Sequence, residues 1–147
     1  FPTELFSADG KTMQERGHEY GAVTGRERRC GWIDLVALRH AIQVNGVTKL
    51  IMMKGDVLDT FPIVRACVAY EINGRRTDRF PYDAAAVNIR PVYEDLPGWQ
   101  TDLTGAKSAG DFPENFRSYI RYLEEKLGVP VAIVSVGPDR LQTIRLD

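Results

Sequence analysis

Trp32-Ile33-Asp34-Leu35-Val36-Ala37-Leu38-Arg39-His40-Ala41-Ile42-Gln43-Val44-Asn45-Gly46-Val47-Thr48-Lys49-Leu50-Ile51-Met52-Met53-Lys54-Gly55-Asp56 is the stretch that decides the fold class. Ile33, Val36, Ala37, His40, Ala41 and Val44 recur at helical spacing, which predicts an amphipathic helix over Trp32 to Val44 with these residues facing inward. Asn45-Gly46 ends it as a left-handed cap would. Val47 to Met53 is then a short apolar run of the kind found in a buried strand. A helix followed at once by such a strand points to an α/β chain. His40 falls on the inner face, and with no other ligand type clustered near it we read it as a core or second-layer histidine.

Upstream lies Arg16 to Trp32, with Gly17, Gly21, Gly25 and Gly31, the Thr24 hydroxyl, and the guanidinium groups of Arg26, Arg28 and Arg29. Glycines let backbone N–H groups approach an anion, and arginine offers a planar fork that matches carboxylate or phosphate. Placed before a helix N-terminus, this loop reads as an anion cradle. From composition alone, a solvated turn-rich loop is an equal reading.

Downstream, Lys54-Gly55-Asp56 follows the predicted strand at its C-terminal end, where open α/β sheets bind ligands. A carboxylate there can accept two parallel hydrogen bonds from a ring N–H and an exocyclic amine, a pair that guanine presents and adenine does not. The lysine stem can lie along a base while its ammonium stays wet. Three residues alone are equally an ordinary polar loop.

Val64 to Ile72, Asn73-Gly74 and Arg75 to Phe80 read as a hairpin with a type I′ turn. Tyr82 to Asn88 is expected as a short helix and Val92 to Glu94 as a strand. Trp99, after Leu96-Pro97-Gly98, reads as a structural aromatic under a loop that runs from Gln100 to Gly110. Asp111-Phe112-Pro113-Glu114 has the form of a helix start, with Asp111 as cap. Phe116, Tyr119, Ile120, Leu123 and Leu127 form its apolar stripe and Gly128 its end. Val129 to Val136 reads as a buried strand closed by Gly137-Pro138, and Leu141 to Leu146 as an added edge strand. Phe1 to Glu15 reads as a polar, frayed or re-docked end with a turn at Asp9-Gly10.

The totals bound the function. The 147 residues are 44% hydrophobic and 27% charged with a net charge of −1, which fits one soluble globular domain with no global field for nucleic acid. Cys30 and Cys67 lack metal or disulfide spacing and suit a reducing compartment. No apolar run approaches a membrane span, so the cytoplasm is the expected location.

Taken together, Gly17-His18-Glu19-Tyr20-Gly21, Val23-Thr24-Gly25-Arg26, Arg28-Arg29-Cys30-Gly31-Trp32-Ile33-Asp34, Lys54-Gly55-Asp56-Val57-Leu58-Asp59, Tyr93 to Trp99 and Val134 to Arg140 resemble the adenylosuccinate synthetase family over essentially the whole chain. The resemblance implies a C-terminal α/β domain of mixed strands and helices over 1–147, with one antiparallel hairpin, belonging to a larger P-loop-like enzyme. Phe1-Pro2-Thr3-Glu4-Leu5 matches the middle of a family motif, so the chain is expected to be the C-terminal third. The family's phosphate loop and catalytic Asp and His would lie outside it, leaving no catalytic or metal residue here and no ligase activity in the chain alone.

The implied activity is GTP-dependent joining of IMP and L-aspartate in AMP biosynthesis, with Mg²⁺ held mainly by the other part, in a cytoplasmic homodimer that uses neither nucleic acid nor membrane. The resemblance assigns Ala22, Val23, Thr24, Gly25, Arg26, Glu27 and Arg28 to substrate, with Arg26 on the aspartate carboxylate and near the IMP ribose. Arg28, Lys54, Gly55, Asp56, Ser135, Val136, Gly137 and Pro138 are assigned to GTP, the turn at Gly137-Pro138 forming the second wall of the guanine pocket. Val23 stands where the family often has threonine, and Gly55 where it often has a larger residue. A stand-alone guanine-nucleotide module and a non-catalytic dimerisation domain are the alternatives.

Overall fold

The computed structural model describes residues 1–85 and 87–146. In chain order its elements are α1 (Ala8–Arg16), β1 (Ile33–Asp34), α2 (Leu35–Asn45), β2 (Leu50–Met52), β3 (Ile63–Ile72), β4 (Arg75–Thr77), β5 (Ile89–Pro97), α3 (Glu114–Leu127), β6 (Val131–Ser135) and β7 (Thr143–Arg145). They fall into two compact units, Phe1–His40 with Arg65–Asp95 and Ala41–Val64 with Leu96–Asp147. The expected mixed α/β architecture is what the chain adopts.

In the first unit β1 runs parallel to β3, pairing Ile33 with Ala66 and Asp34 with Cys67. The β3–β4 hairpin turns at Asn73 and Gly74, whose φ angles of 51° and 75° are those a type I′ turn requires. β5 pairs with β3, well beyond the three residues expected as a strand. Val36, Cys67 and Tyr70 are buried together, with Ile72, Phe80, Ile89 and Tyr93 packed on them.

Several expectations change here. Residues 32–34 are not helical: Ile33 and Asp34 pair with β3, and the Asp34 carboxylate then caps α2 by accepting the Val36 and Ala37 N–H groups at 3.1 and 3.0 Å. On α2 itself Leu35, Val36 and Ile42 are buried, whereas Ala41 is exposed and Val44 is 69% exposed. His40 is not a core residue; it is exposed and stacks on Phe80 at 5.1 Å between centroids. The N-terminal segment is docked, with Glu4 bridging to Gly31 and Thr3 buried. Asp9-Gly10 lies inside α1, where buried Gly10 lets the helix close on the Leu5 backbone. Tyr82–Ala85 form turns, and the remainder of the expected short helix includes residue 86, outside the described residues.

In the second unit β2 runs parallel to β6, and β7 adds antiparallel to β6. β2 is shorter and less buried than a seven-residue core strand: it forms one edge of this three-stranded sheet among the described residues, and Ile51 is 60% exposed. α3 buries all five residues of its predicted stripe and ends at Gly128 with φ of 71°. Its start differs from expectation. Pro113 occupies the cap position, while Asp111 closes a 3₁₀ turn by accepting N–H groups of Lys107 and Ser108 and the Ser108 hydroxyl. Those bonds hold its carboxyl below the usual range, the Lys107 amide first. Trp99 is buried against Phe116 and Tyr119, as a structural tryptophan should be.

Candidate functional site

Two separate sets of candidate residues emerge, one in each unit. In the first, the glycine-rich segment forms a small hairpin rather than a loop feeding a helix terminus. Tyr20 bridges antiparallel to Glu27, Gly21 N–H donates to Arg26 O at 2.8 Å, and Gly25 N–H to Gly21 O at 2.9 Å. Gly25 takes a φ of 65°, the left-handed region that favours glycine. The Thr24 hydroxyl accepts the Arg26 N–H at 3.3 Å. Ala22, Val23, Thr24, Gly25, Arg26, Glu27 and Arg28 are all exposed, Val23 almost entirely.

The α2 N-terminus is not part of any cradle, because the Asp34 carboxylate already occupies its first amides. The anion-binding capacity of this hairpin therefore rests on its guanidinium groups. Arg28 is paired with Glu19 at 3.1 Å and Arg29 with Glu4 at 3.2 Å, Arg29 also lying over the Phe1 ring. The Arg26 side chain makes no hydrogen bond or ion pair among the described residues.

Tyr70 donates its hydroxyl proton to Asp34 at 2.5 Å, and burial with that bond pushes its pKa upward. Burial, aided by the Asp34 charge, raises the Cys67 thiol to about 11; burial raises Tyr93 to about 12. Cys67 is thus a protonated core residue and no nucleophile.

In the second unit the parallel pairing of β2 and β6 brings their carboxyl ends to one side of the sheet. Lys54 leaves β2 in the left-handed conformation, φ 60° and ψ 42°, and residues Gly55–Leu58 wind into a 3₁₀ turn. Gly55 is buried: a Cβ there would lie 3.0 Å from the Phe116 ring and 3.5 Å from Ser135 O. A larger side chain at this position would press on the Phe116 ring, while the approach to Ser135 O is an ordinary van der Waals distance. Asp56 is half-buried, with Oδ1 fully enclosed.

On the facing segment Ser135 is buried and donates its hydroxyl to Gly137 O at 3.0 Å. Val136, fully buried, donates its N–H to Gln142 O at 2.9 Å. Asp139 caps the turn at residues 140–142, leaving Pro138 exposed at the rim. The structure brings Gly55 and Ser135 together and leaves Lys54 and Pro138 at the surface.

The sequence reading passed over two residues behind these segments. Asp59, 5% exposed, accepts hydrogen bonds from Trp99 Nε1 at 2.8 Å and Leu103 N at 3.0 Å. Gln142 holds Asp139 N–H through Oε1 at 3.0 Å and reaches Thr104 O through Nε2 at 3.1 Å. An acid inside the apolar run Val57-Leu58-Asp59-Thr60-Phe61 was the available signal for Asp59, since a buried carboxylate needs partners. Among the described residues no group of three His, Cys, Asp or Glu side chains gathers to hold a metal. No helix among them is long and apolar enough to cross a membrane.

Known proteins resemble the chain throughout. A family model described as adenylosuccinate synthetase matches residues 1–144. Adenylosuccinate synthetases of Phocaeicola vulgatus and Porphyromonas gingivalis are 62% and 60% identical over 144 residues, covering 98% of this chain and 34% of each relative. A solved structure, fully ligated adenylosuccinate synthetase from Plasmodium falciparum, superposes with a TM-score of 0.93 at 32% identity, over 100% of this chain and 36% of that one. The chain thus spans about a third of the length of the relatives it matches, and it belongs to the adenylosuccinate synthetase family.

Proposed function

We propose that this chain supplies the base-reading corner and the aspartate hairpin of a GTP-dependent ligase that joins IMP and L-aspartate to form adenylosuccinate. In that reaction the γ-phosphoryl group passes from GTP to O6 of IMP, and the aspartate amine then displaces the phosphate. Positioning and charge placement dominate phosphoryl transfer, and the residues here serve positioning. Arg26 forks onto the aspartate carboxylate near the IMP ribose, with residues Ala22 to Glu27 shaping the hairpin around it. Arg28 is assigned to GTP. Asp56 accepts the guanine ring N–H and amine, the Lys54 stem lies along the base, and Ser135, Val136, Gly137 and Pro138 form the other wall. The whole enzyme acts as a cytoplasmic homodimer.

The observation that carries this reading is the approach of Gly55 to Ser135 beyond the carboxyl ends of two paired parallel strands. That is where an open α/β sheet binds ligands, and the two segments carry a carboxylate, Asp56, and a glycine-proline turn, Gly137-Pro138. A carboxylate rejects adenine by facing a ring nitrogen lone pair to lone pair, and sites built on hydrogen bonds discriminate strongly against analogues that lack them.

Asp56→Asn tests it in the full-length synthetase carrying this sequence. The new NH₂ opposes the guanine amine, donor against donor, and matches the carbonyl xanthine carries there. The ratio of catalytic efficiencies with GTP and XTP should fall by roughly tenfold or more, the worth of about one charge-assisted hydrogen bond. If that ratio stays where it was, with ATP unused by both proteins, Asp56 does not read the base.

A further inference from the structure

We propose that residues Trp99–Gly105 act as a brace between the two walls of the base pocket, with Gln142 as the positioning residue that ties the Gly137-Pro138 wall to it. The inference rests on the base-pocket reading above.

The contacts form an unbroken chain. Asp59 ends the short helical turn that begins at Gly55 and Asp56, its own N–H donating to Asp56 O at 3.2 Å. Its buried carboxylate holds the brace at two points, Trp99 Nε1 at 2.8 Å and Leu103 N–H at 3.0 Å. Around the second point the brace shapes itself: Asp102 accepts the Thr104 N–H and hydroxyl at 2.8 and 2.6 Å, and Leu103 is buried. One residue beyond Leu103, Thr104 O accepts the Gln142 side-chain N–H at 3.1 Å. Gln142 then makes three bonds to the opposite wall. Its Oε1 accepts Asp139 N–H at 3.0 Å, its carbonyl accepts Val136 N–H at 2.9 Å, and its N–H donates to Asp139 O at 2.9 Å. A Cβ placed on Gly137 would overlap the Gln142 amide, so this side chain backs the glycine directly.

Backbone bonds alone would keep residues 136–142 folded as a turn. What the Gln142 side chain adds is a fixed place for that turn relative to Asp56. A pocket for a flat base depends on that spacing, because a hydrogen-bonding edge and a stacking wall must both be met at once. Gln142 touches the pocket only from behind, so its loss should weaken nucleotide binding and leave chemistry and the other substrates alone.

The experiment is steady-state kinetics of the full-length synthetase carrying this sequence, with Gln142→Met and Gln142→Ala. Methionine keeps the length and fills the space behind Gly137 but offers neither bond. Both variants should raise KM for GTP about fivefold to tenfold, as the loss of two neutral hydrogen bonds would. Their kcat and the KM values for IMP and aspartate should stay within about twofold of the parent, on the same physical grounds. Equal losses for all three substrates, or an unmoved KM for GTP in both variants, would overturn the brace. Asp56→Asn runs alongside. If it shifts the GTP-to-XTP ratio while the Gln142 variants change nothing, the pocket stands and the brace falls. If it shifts nothing, the pocket reading falls and takes the brace with it.

Discussion

The arginine hairpin and the corner proposed to read the base hold their candidate groups in opposite ways. In the hairpin every residue from Ala22 to Arg29 is exposed, and order comes from a few backbone bonds and a left-handed glycine. In the corner, Asp56 and the Gly137 turn are backed by polar groups set behind them: the buried Asp59 carboxylate and Ser135, and the half-buried Gln142 amide. An exposed guanidinium can swing to meet a small flexible acid. A flat, rigid base demands fixed walls, and fixed walls require buried hydrogen bonds that are fully satisfied. The difference predicts that mutations in the corner should cost stability and function together, whereas mutations in the hairpin should separate the two.

The largest effect expected is from Gly98→Ala, under the corner. Gly98 donates its N–H to Pro62 O at 2.9 Å and accepts from Asn115 Nδ2 at 2.8 Å, and a Cβ there would overlap the Phe61 backbone carbonyl. Backbone cannot move aside as a side-chain tip can. Overpacking of this kind costs about 3 kcal/mol or more, so the urea midpoint should fall sharply. Gly25→Ala in the hairpin meets nothing within 4 Å and serves as the comparison, its cost limited to the φ of 65°, about 1 kcal/mol. Equal losses for the two substitutions would erase the distinction between the regions.

The same contrast explains what was legible in the sequence. The α3 stripe and the Asn73-Gly74 turn were readable because short-range periodicity and turn chemistry dictate them, and no partner need be known. The family motifs located the candidate residues, but not their roles within the fold. Asp34 was hidden inside an apparent helical period, since nothing local says that Ile33 will pair with Ala66 and convert Asp34 into a cap. Asp111 carried every mark of an α3 cap, yet Lys107 and Ser108 compete for its carboxylate and win. The inner face of α2 was misjudged for a related reason: periodicity identifies an apolar stripe without saying what covers it, and Ala41 and Val44 stay exposed. Asp59 and Gln142 act through residues about 40 positions away in sequence; the apolar run around Asp59 hints that it is buried, but no local pattern names its partners or those of Gln142.

In the hairpin the sharper functional test is Arg26→Lys. The substitution keeps the charge and removes the fork that engages a carboxylate at two points. Arg26 has no internal side-chain bond to lose among the described residues, so stability should move by less than about 0.5 kcal/mol. Catalytic efficiency with aspartate should drop by roughly tenfold to a hundredfold, the loss of a charge-assisted bond. An unchanged response to aspartate would remove Arg26 from the substrate contacts. A large loss of stability would instead make the hairpin a structural element like the corner.

The smallest effect, and the one that bears most directly on how the hairpin works, is expected from Glu19→Gln. Glu19 holds Arg28 twice, by the side-chain pair at 3.1 Å and by a backbone bond from Arg28 N–H to Glu19 O at 2.9 Å. Only the first involves the carboxylate. The guanidinium of Arg28 is more than half exposed and Glu19 about a quarter, so water screens the pair and it should contribute only about 0.2–1 kcal/mol to stability. Glutamine keeps one acceptor oxygen in place and removes the negative charge. If Arg28 must turn from Glu19 toward the phosphates of GTP, neutralising Glu19 removes a competitor for the same guanidinium. KM for GTP should then fall by up to about threefold in low salt, and the difference should shrink as ionic strength rises, because exposed charges are screened within a Debye length of about 10 Å at 0.1 M. A rise in KM would mean the reverse: that Glu19 pre-aims Arg28, and that the exposed hairpin is positioned by its ion pair much as the corner is positioned by Asp59.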